Sequence, residues 1–400
     1  MKQTYIESID KCISWINTNM LTYDNGYYGI YERIRIDEHL RTNWSRPDCN
    51  SEYLRVLLTH AQMFGYENND KLISNIIGYL LRVQDTNPIS TWKGSYPFYL
   101  VDGYIRENAV DASLYQNDNG KILLIMCQLY IEHKDARFLE IAKNLAGYWA
   151  KTQQADGTFG VIDGRNMHEC GRGPCFVHWL VSGYFLLYKI TKNCTYLTCA
   201  EKGMEYIIST IHASGRSLTS YEILRMEDWR PVSSETSIAL YTFCIAFEVT
   251  GKNSYKDFII KTGEYVLSLQ DKCGAIMNCD DSCIDASLQN SVEVCDLVYT
   301  EGFALNALIL AYSCIGETKY LNAAISLANF LVGIQCKNES PLWDGAWRGS
   351  FNVQTWKWDG RATQNNAIDE GGMFSVYTGW SCTNIMYGLQ QLISLIIMNE

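Results

Sequence analysis

The chain has no Gly-x-x-x-x-Gly-Lys-Ser/Thr loop, no Gly-x-Gly-x-x-Gly turn after a strand and no Gly-x-Ser-x-Gly elbow. Nucleotide-cofactor and serine-hydrolase chemistry therefore have no footing here, and no cofactor is expected. Charged residues are few, 19% of the chain, and their balance of −11 includes no basic run. Nucleic acid and anionic membrane are excluded as main partners on that ground. No apolar stretch approaches the ~18 residues of a membrane-spanning helix. Proline is scarce, 6 in 400 residues, and no Pro/Ser-rich or low-complexity linker divides the chain. One large domain over residues 1–400 is expected, although that length exceeds the usual domain. The opening MKQTYIESIDKCISWINTNM reads as an amphipathic helix containing Glu7 and Asp10, unlike a secretory leader. A cytoplasmic location is the expectation.

The chain is rich in apolar residues (47%) and in aromatics (13%), with 27 Tyr and 11 Trp. Such rings stack on sugars and also fill helical cores. The 15 cysteines are odd in number, and Cys127, Cys244 and Cys314 fall on apolar helix faces. Reduced thiols are expected rather than a disulfide framework. Two clusters, Cys273/Cys279/Cys283/Cys295 and His168/Cys170/Cys175/His178, match no common zinc spacing, so no metal is expected.

An aromatic residue followed five positions later by Gln recurs as Tyr79/Gln84, Tyr148/Gln153, Tyr265/Gln270 and Phe330/Gln335. Degenerate copies, Trp15/Met20 and Tyr206/Ile211, complete a series with a period near 60. That period is too long for a common two-helix solenoid and suits a helix hairpin with one long loop. Helical spacing of apolar residues predicts twelve helices, at 3–20, 50–65, 69–84, 118–133, 136–153, 175–191, 195–212, 233–250, 254–270, 299–315, 318–335 and 374–397. Connections after even helices are short. Those after odd helices are long and rich in Trp, Tyr, Gly and Asp. With the even helices as the inner ring of six closed hairpins, every long loop gathers at the N-terminal mouth of that ring. Helix N-termini there favour an anionic group such as a uronate or phosphate.

This pattern resembles the six-hairpin glycosidase superfamily, and local stretches add to the likeness: GYYGIYERI (26–34), RPDCNSE (46–52), PLWDGAWRGSF (341–351) and IDEGGMFSVYTGWSCTNIMYGL (368–389). The resemblance implies an all-α, (α/α)6 barrel with its active site at the loop-rich mouth. It points toward uronate-processing members such as unsaturated glucuronyl hydrolases. No complete catalytic motif of one member is matched, so no catalytic residue is carried over. QQADGTFG (153–160) is also similar to a repeat of isoprenoid cyclases, where it clamps a helix end to the next loop. Their acidic motif is incomplete here, Asn278-Cys279-Asp280-Asp281 lacking its first Asp.

Glycoside hydrolysis needs two carboxyl groups across the scissile bond, one of them protonated near neutral pH. The mouth offers several. Asp48 and Glu52 lie one turn apart at the second helix, and Asp48 reads equally as a cavity carboxylate or an N-cap. Asp111, with Asp102 before it among aromatics, precedes the fourth helix. Glu169 accompanies His168, Arg172 and His178 at the entrance to the sixth. Glu235 follows two serines that read as caps of the eighth, and Asp296 and Glu301 bracket the start of the tenth. Trp347 is a candidate sugar platform and Arg348 a carboxylate clamp. Tyr377 and Trp380 either line the cavity or belong to the core. Asp48, Asp111, Glu169, Glu235 and Asp296 are thus the catalytic candidates; the others are candidate substrate contacts. The expected function is hydrolysis of an oligosaccharide that carries a uronic acid. A polysaccharide lyase or sugar epimerase using His168, His178 and Arg172, and a non-catalytic glycan-binding barrel, are the alternatives. Oligomeric state is not legible.

Overall fold

The computed structural model describes residues 2–65, 69–101, 114–160, 174–218, 232–278, 293–359 and 372–399. Its twelve long helices are α1 (Lys2–Asn19), α2 (Pro47–Phe64), α3 (Asp70–Val83), α4 (Gln116–His133), α5 (Ala136–Thr152), α6 (Pro174–Thr191), α7 (Cys194–Ser209), α8 (Val232–Thr250), α9 (Asn253–Ser268), α10 (Glu301–Ile315), α11 (Thr318–Ile334) and α12 (Thr383–Asn399). The even helices pack in succession, α2 on α4, α4 on α6, α6 on α8, α8 on α10 and α10 on α12, and α12 packs back on α2. This closed inner ring explains their sequences. In α4, residues 118–127 are all buried, as befits a helix covered on every side. Odd helices are amphipathic: α3 buries the stripe Leu72, Ile73, Ile76, Ile77, Leu80 and Val83 and exposes its other face.

Short strands occupy only the long connections. β1 (Arg33–Arg35) lies between β2 (Leu40–Arg41) and β8 (Ser375–Tyr377); β3 (Trp44–Ser45) pairs with β4 (Leu100–Val101); β5 (Val294–Asp296), β6 (Ser350–Asn352) and β7 (Lys357–Trp358) form a third sheet. All pairings are antiparallel, and Ile34 opposite Val376 joins the first loop to the last. The last helix begins nine residues later than its periodicity predicts. Residues 375–377 are taken by β8, and 378–382 form a π-helical turn. Inside that turn Trp380 has φ +53°, a left-handed value, and its N–H donates to Glu52 Oε2 at 2.7 Å. The apolar pattern is continuous there, but the backbone is bent by a buried carboxylate on α2.

The repeated Gln proves to be a joint of the outer ring. The side-chain amide of Gln84 donates to the carbonyls of Gly94 (2.9 Å) and Ile141 in α5 (3.1 Å). Gln153 reaches Gly157 and Cys199 of α7. Gln270 reaches Gly274 and Ala323 of α11. Gln335 reaches Gly345 and Ser8 of α1, and so closes the outer ring across the chain ends. Each glutamine therefore ties its own loop and the next outer helix to one side chain, giving the loop-glycine carbonyl a donor. The loop glycine is required as well: at Gly274 φ is +102°, and a Cβ would lie 2.3 Å from the Ser326 carbonyl oxygen. QQADGTFG is one such joint, so its cyclase-like appearance has a purely structural cause.

Replacing Gln335 by Ala removes the donor to the Gly345 carbonyl, the second donor to the Ser8 carbonyl and the acceptor of the buried Ser8 hydroxyl (2.9 Å), and a loss of about 1–3 kcal/mol in urea unfolding is expected. Gly274→Ala is expected to lose more, since strain and a backbone clash add to one another.

Candidate functional site

Four segments distant in sequence meet above the axis of the inner ring. They are Glu32 and Arg33 at the start of β1, the start of α2 (Arg46, Asp48, Glu52), the start of α4 (Asp118, Lys121), and the turn into α12 (Tyr377, Trp380, Asn384). All of these side chains are buried.

Arg46 is the centre of the first half. Its Nε and Nη2 donate to Asp48 Oδ1 (3.1 Å) and Oδ2 (2.8 Å), a bidentate pair. Its Nη1 donates to Glu32 Oε1 at 2.9 Å. Its Nη2 also lies 2.9 Å from Asp118 Oδ2. Phe98 covers the guanidinium, 4.6 Å from ring centroid to Cζ. Glu52 is the centre of the second half. It accepts from Asn384 Nδ2 (2.7 Å) and from the Trp380 N–H (2.7 Å), and it is ion-paired with Lys121. Trp380 joins the halves: its indole N–H donates to Asp48 Oδ2 at 2.7 Å, and Lys121 Nζ lies 3.6 Å from its ring centroid.

Burial pushes the Asp118 carboxyl up to about 8, against the pull of Arg46 and with Asp48 adding to the rise. Its burial thus favours the protonated form of Asp118. The acidic side chains Glu32, Asp48 and Glu52 face the basic side chains Arg33, Arg46 and Lys121 across this buried cluster. Arg33 completes it by donating to the Tyr377 hydroxyl at 2.7 Å. Beneath the cluster, all six inner helices contribute to an axial void of about 20 Å³ through Arg55, Lys121, Trp179, Tyr241, Phe303 and Asn384. It has room for little more than one water.

The structure therefore brings Asp48, Glu52, Tyr377 and Trp380 together. Asp48 is not the N-cap of α2: Arg46 holds that position, with Pro47 as first helical residue. Glu301 is elsewhere. Its carboxyl accepts from the Ile276 N–H (3.0 Å), and burial holds it well above the usual carboxylate range, opposed by the Cys295 thiol and that N–H. It clamps a loop. Asp296 accepts from the Tyr299 N–H at 2.7 Å and shapes the turn before α10. Glu235 is buried in the first turn of α8, whereas the Ser233 hydroxyl contacts Asn278 and Thr300 and does not cap its own helix. His178 is wholly buried in α6. Asp102, Asp111, His168, Glu169 and Arg172 lie outside the described residues.

Two expectations are corrected. Trp347 is no sugar platform: it is fully buried, and its indole N–H donates to the Leu331 carbonyl at 2.8 Å. Arg348 is no clamp over the axis, because it is ion-paired with Glu339 and lines a separate groove with Trp356 and Trp358. Sequence reasoning missed Arg46, Asp118, Lys121 and Glu32. Asp118 and Lys121 occupy the first turns of an even helix, the rule that selects Glu52 and Glu301. Arg46 opens the stretch RPDCNSE.

No protein-family model and no curated protein matches the chain. Solved structures do. A sugar epimerase from a ruminal bacterium agrees with a TM-score of 0.74 at 13% identity, covering 99% of each chain. A GH76 α-mannanase of Bacteroides thetaiotaomicron gives 0.70 at 14% identity, over 99% of this chain and 97% of that one. An unsaturated glucuronyl hydrolase from Streptococcus agalactiae gives 0.61 at 13%, over 99% and 92%. At these identities the likeness is one of architecture: the chain has an (α/α)6 barrel fold.

Proposed function

We propose that the protein is a carbohydrate-active enzyme that hydrolyses a glycosidic bond, with Asp118 as general acid. The observation that carries this reading is the Arg46-bridged pair of Asp48 and Asp118. Both carboxyls bind the same nitrogen, at 2.8 and 2.9 Å. Their oxygens are therefore no farther apart than those two lengths laid end to end. That falls short of the roughly 6.5–9.5 Å of inverting glycosidases and within reach of the about 5–5.5 Å of retaining ones. Their environments also differ: Asp118 holds a proton to about pH 8, while Asp48 accepts three donated hydrogen bonds. Two carboxyls held apart in this way divide into acid and nucleophile.

In this mechanism Asp118 delivers its proton to the glycosidic oxygen as the bond to the sugar breaks. Asp48 takes the anomeric carbon from the opposite face, and water then releases the sugar with Asp118 accepting its proton. Arg46 holds both carboxyls in register, and Trp380 fixes Asp48 from its other side. Access of substrate requires the cover over this cluster to part. A uronic-acid substrate is supported by the six inner-helix N-termini at the mouth and by the glucuronyl hydrolase among the structural neighbours. A cytoplasmic setting suits the breakdown of imported oligosaccharides. Epimerisation, the activity named for the ruminal protein, is the weaker reading: among the described residues that line the axial void, none is a histidine.

Sugar release from saturated and Δ4,5-unsaturated uronides and from mannooligosaccharides tests the assignment. Asp118→Asn is expected to lower kcat about 10²–10⁴-fold with a smaller change in KM. Unchanged kcat on a substrate that the wild type turns over would sink it. Wild-type activity is expected to fall as pH rises through about 8, where the acid loses its proton.

Stability follows the same proton. The folded pKa of Asp118 lies above its unfolded value, so its contribution is complete below about pH 4 and is lost as pH rises toward 8. Wild-type Tm is expected to decline between pH 6 and 9, and Asp118→Asn, which has no proton to lose, to flatten that decline. Equal slopes in a thermal-melt series would count against a protonated Asp118.

A further inference from the structure

We propose that the groove beside the β6–β7 hairpin is a second carbohydrate site, one that docks an acidic glycan chain and shares no lining residue with the axial void. It draws only its ligand class from the hydrolase reading.

The hairpin turn is built in an unusual way. Asn352 Oδ1 accepts from the N–H groups of Gln354 and Thr355, both at 2.9 Å, which tightens the loop. The loop then closes through Trp356 at φ +53°. Gly or Asn is the usual choice for that left-handed position, and a bulky residue there is strained. Yet Trp356 is also 54% exposed, and it is the only exposed tryptophan among the described residues. A side chain that is both strained and exposed adds little to the fold for what it costs. Its ring meets Phe351 edge-on, with centroids 5.3 Å apart.

The surroundings of Trp356 complete a binding surface. A groove of about 390 Å³ is bounded by Trp356, Trp358, Phe351, Glu339, Arg348 and Lys357. Glu339 organises it. Its carboxylate accepts from the indole N–H groups of Trp343 (3.2 Å) and Trp358 (3.3 Å) and pairs with Arg348. Trp358 and the guanidinium are thereby held in place before any ligand arrives, which lowers the ordering cost of binding. A pyranose offers an apolar C–H face and a rim of hydroxyls, and indole rings flanked by charged donors and acceptors match that shape. Arg348 and Lys357 outnumber Glu339, a local positive excess in a chain of net charge −11. A carboxylate-bearing glycan fits that sign.

Electrophoresis through gels containing polygalacturonate, with yeast mannan as the neutral counterpart, reads binding without turnover. The informative variant is Trp356→Gly, because glycine accepts φ +53° and removes the ring without harming the turn. Wild-type protein is expected to be retarded by polygalacturonate and much less by mannan. Trp356→Gly is expected to bind roughly tenfold more weakly, with Tm unchanged or slightly raised. Lys357→Gln is expected to weaken binding and to reduce its salt sensitivity. The proposal is overturned by wild-type protein that polygalacturonate does not retard, by equal retardation of Trp356→Gly, or by retardation in mannan as strong as in polygalacturonate. It is equally overturned by a Tm loss of several degrees in Trp356→Gly, which would make the ring a hydrophobic cap. Repeating the gels with Asp118→Asn separates failure of the groove from failure of the acid assignment.

Discussion

The Trp380 backbone bends to donate a hydrogen bond to a carboxylate, Glu52, that is wholly buried. Much else depends on that contact. A buried carboxylate stripped of partners costs several kcal/mol, so Glu52 must be met by Lys121, Asn384 and the Trp380 N–H together. Those partners come from α4, α12 and the turn before α12, and meeting them requires the inner ring to be closed. Gly379 makes the approach possible, since a Cβ there would lie 2.4 Å from Cys49 Sγ and 2.7 Å from Glu52 itself. Once the turn is bent, the Trp380 indole reaches Asp48, and Asp48 orients Arg46. A single bend thus positions both halves of the charge cluster.

Closure of the ring is secured at two radii. Inside, α12 packs on α2 and β8 pairs with β1. Outside, Gln335 bonds to Ser8 across the two ends of the chain. The outer joints are repeated because each hairpin faces the same problem, an outer helix ending beside a loop whose carbonyls are cut off from water. The copies with Met20 and Ile211 lack the amide, yet Ile211 keeps the backbone bridge, to Ser217, that Gln153 and Gln270 also make, to Phe159 and Ile276. The joint at any one position is therefore dispensable to the topology while contributing to its stability.

What could be read from the sequence divides along the same physical line. The twelve helices, the alternation of loop lengths and the choice of inner helices depend on periodicity and spacing, which are local properties. The aromatic–Gln series was visible because it is repeated, although its meaning, a bond to the next outer helix, is a tertiary fact. The cluster was half visible. Asp48 and Glu52 could be found one turn apart on an inner helix, but Arg46 beside them could not be distinguished from a surface cation. Asp118 was not singled out because nothing in the stretch around it shows that the ring will bury its carboxyl. Trp347 and Trp380 sit in similar aromatic, glycine-rich contexts. Only the fold reveals that one fills the space under α11 and the other faces the charges.

The barrel also explains why an acid can persist beside an arginine. An isolated Arg–Asp pair would lower the carboxyl's proton affinity, and here Arg46 does pull in that direction. Arg46 is shared, however, with Asp48 and Glu32, and its charge is largely spent on them. Ionising Asp118 would place a further charge in a cluster that is buried throughout. Desolvation therefore outweighs attraction, and the proton stays. A raised proton affinity at Asp118 is then a consequence of burial in a crowded space, and the proposed general-acid role draws on it.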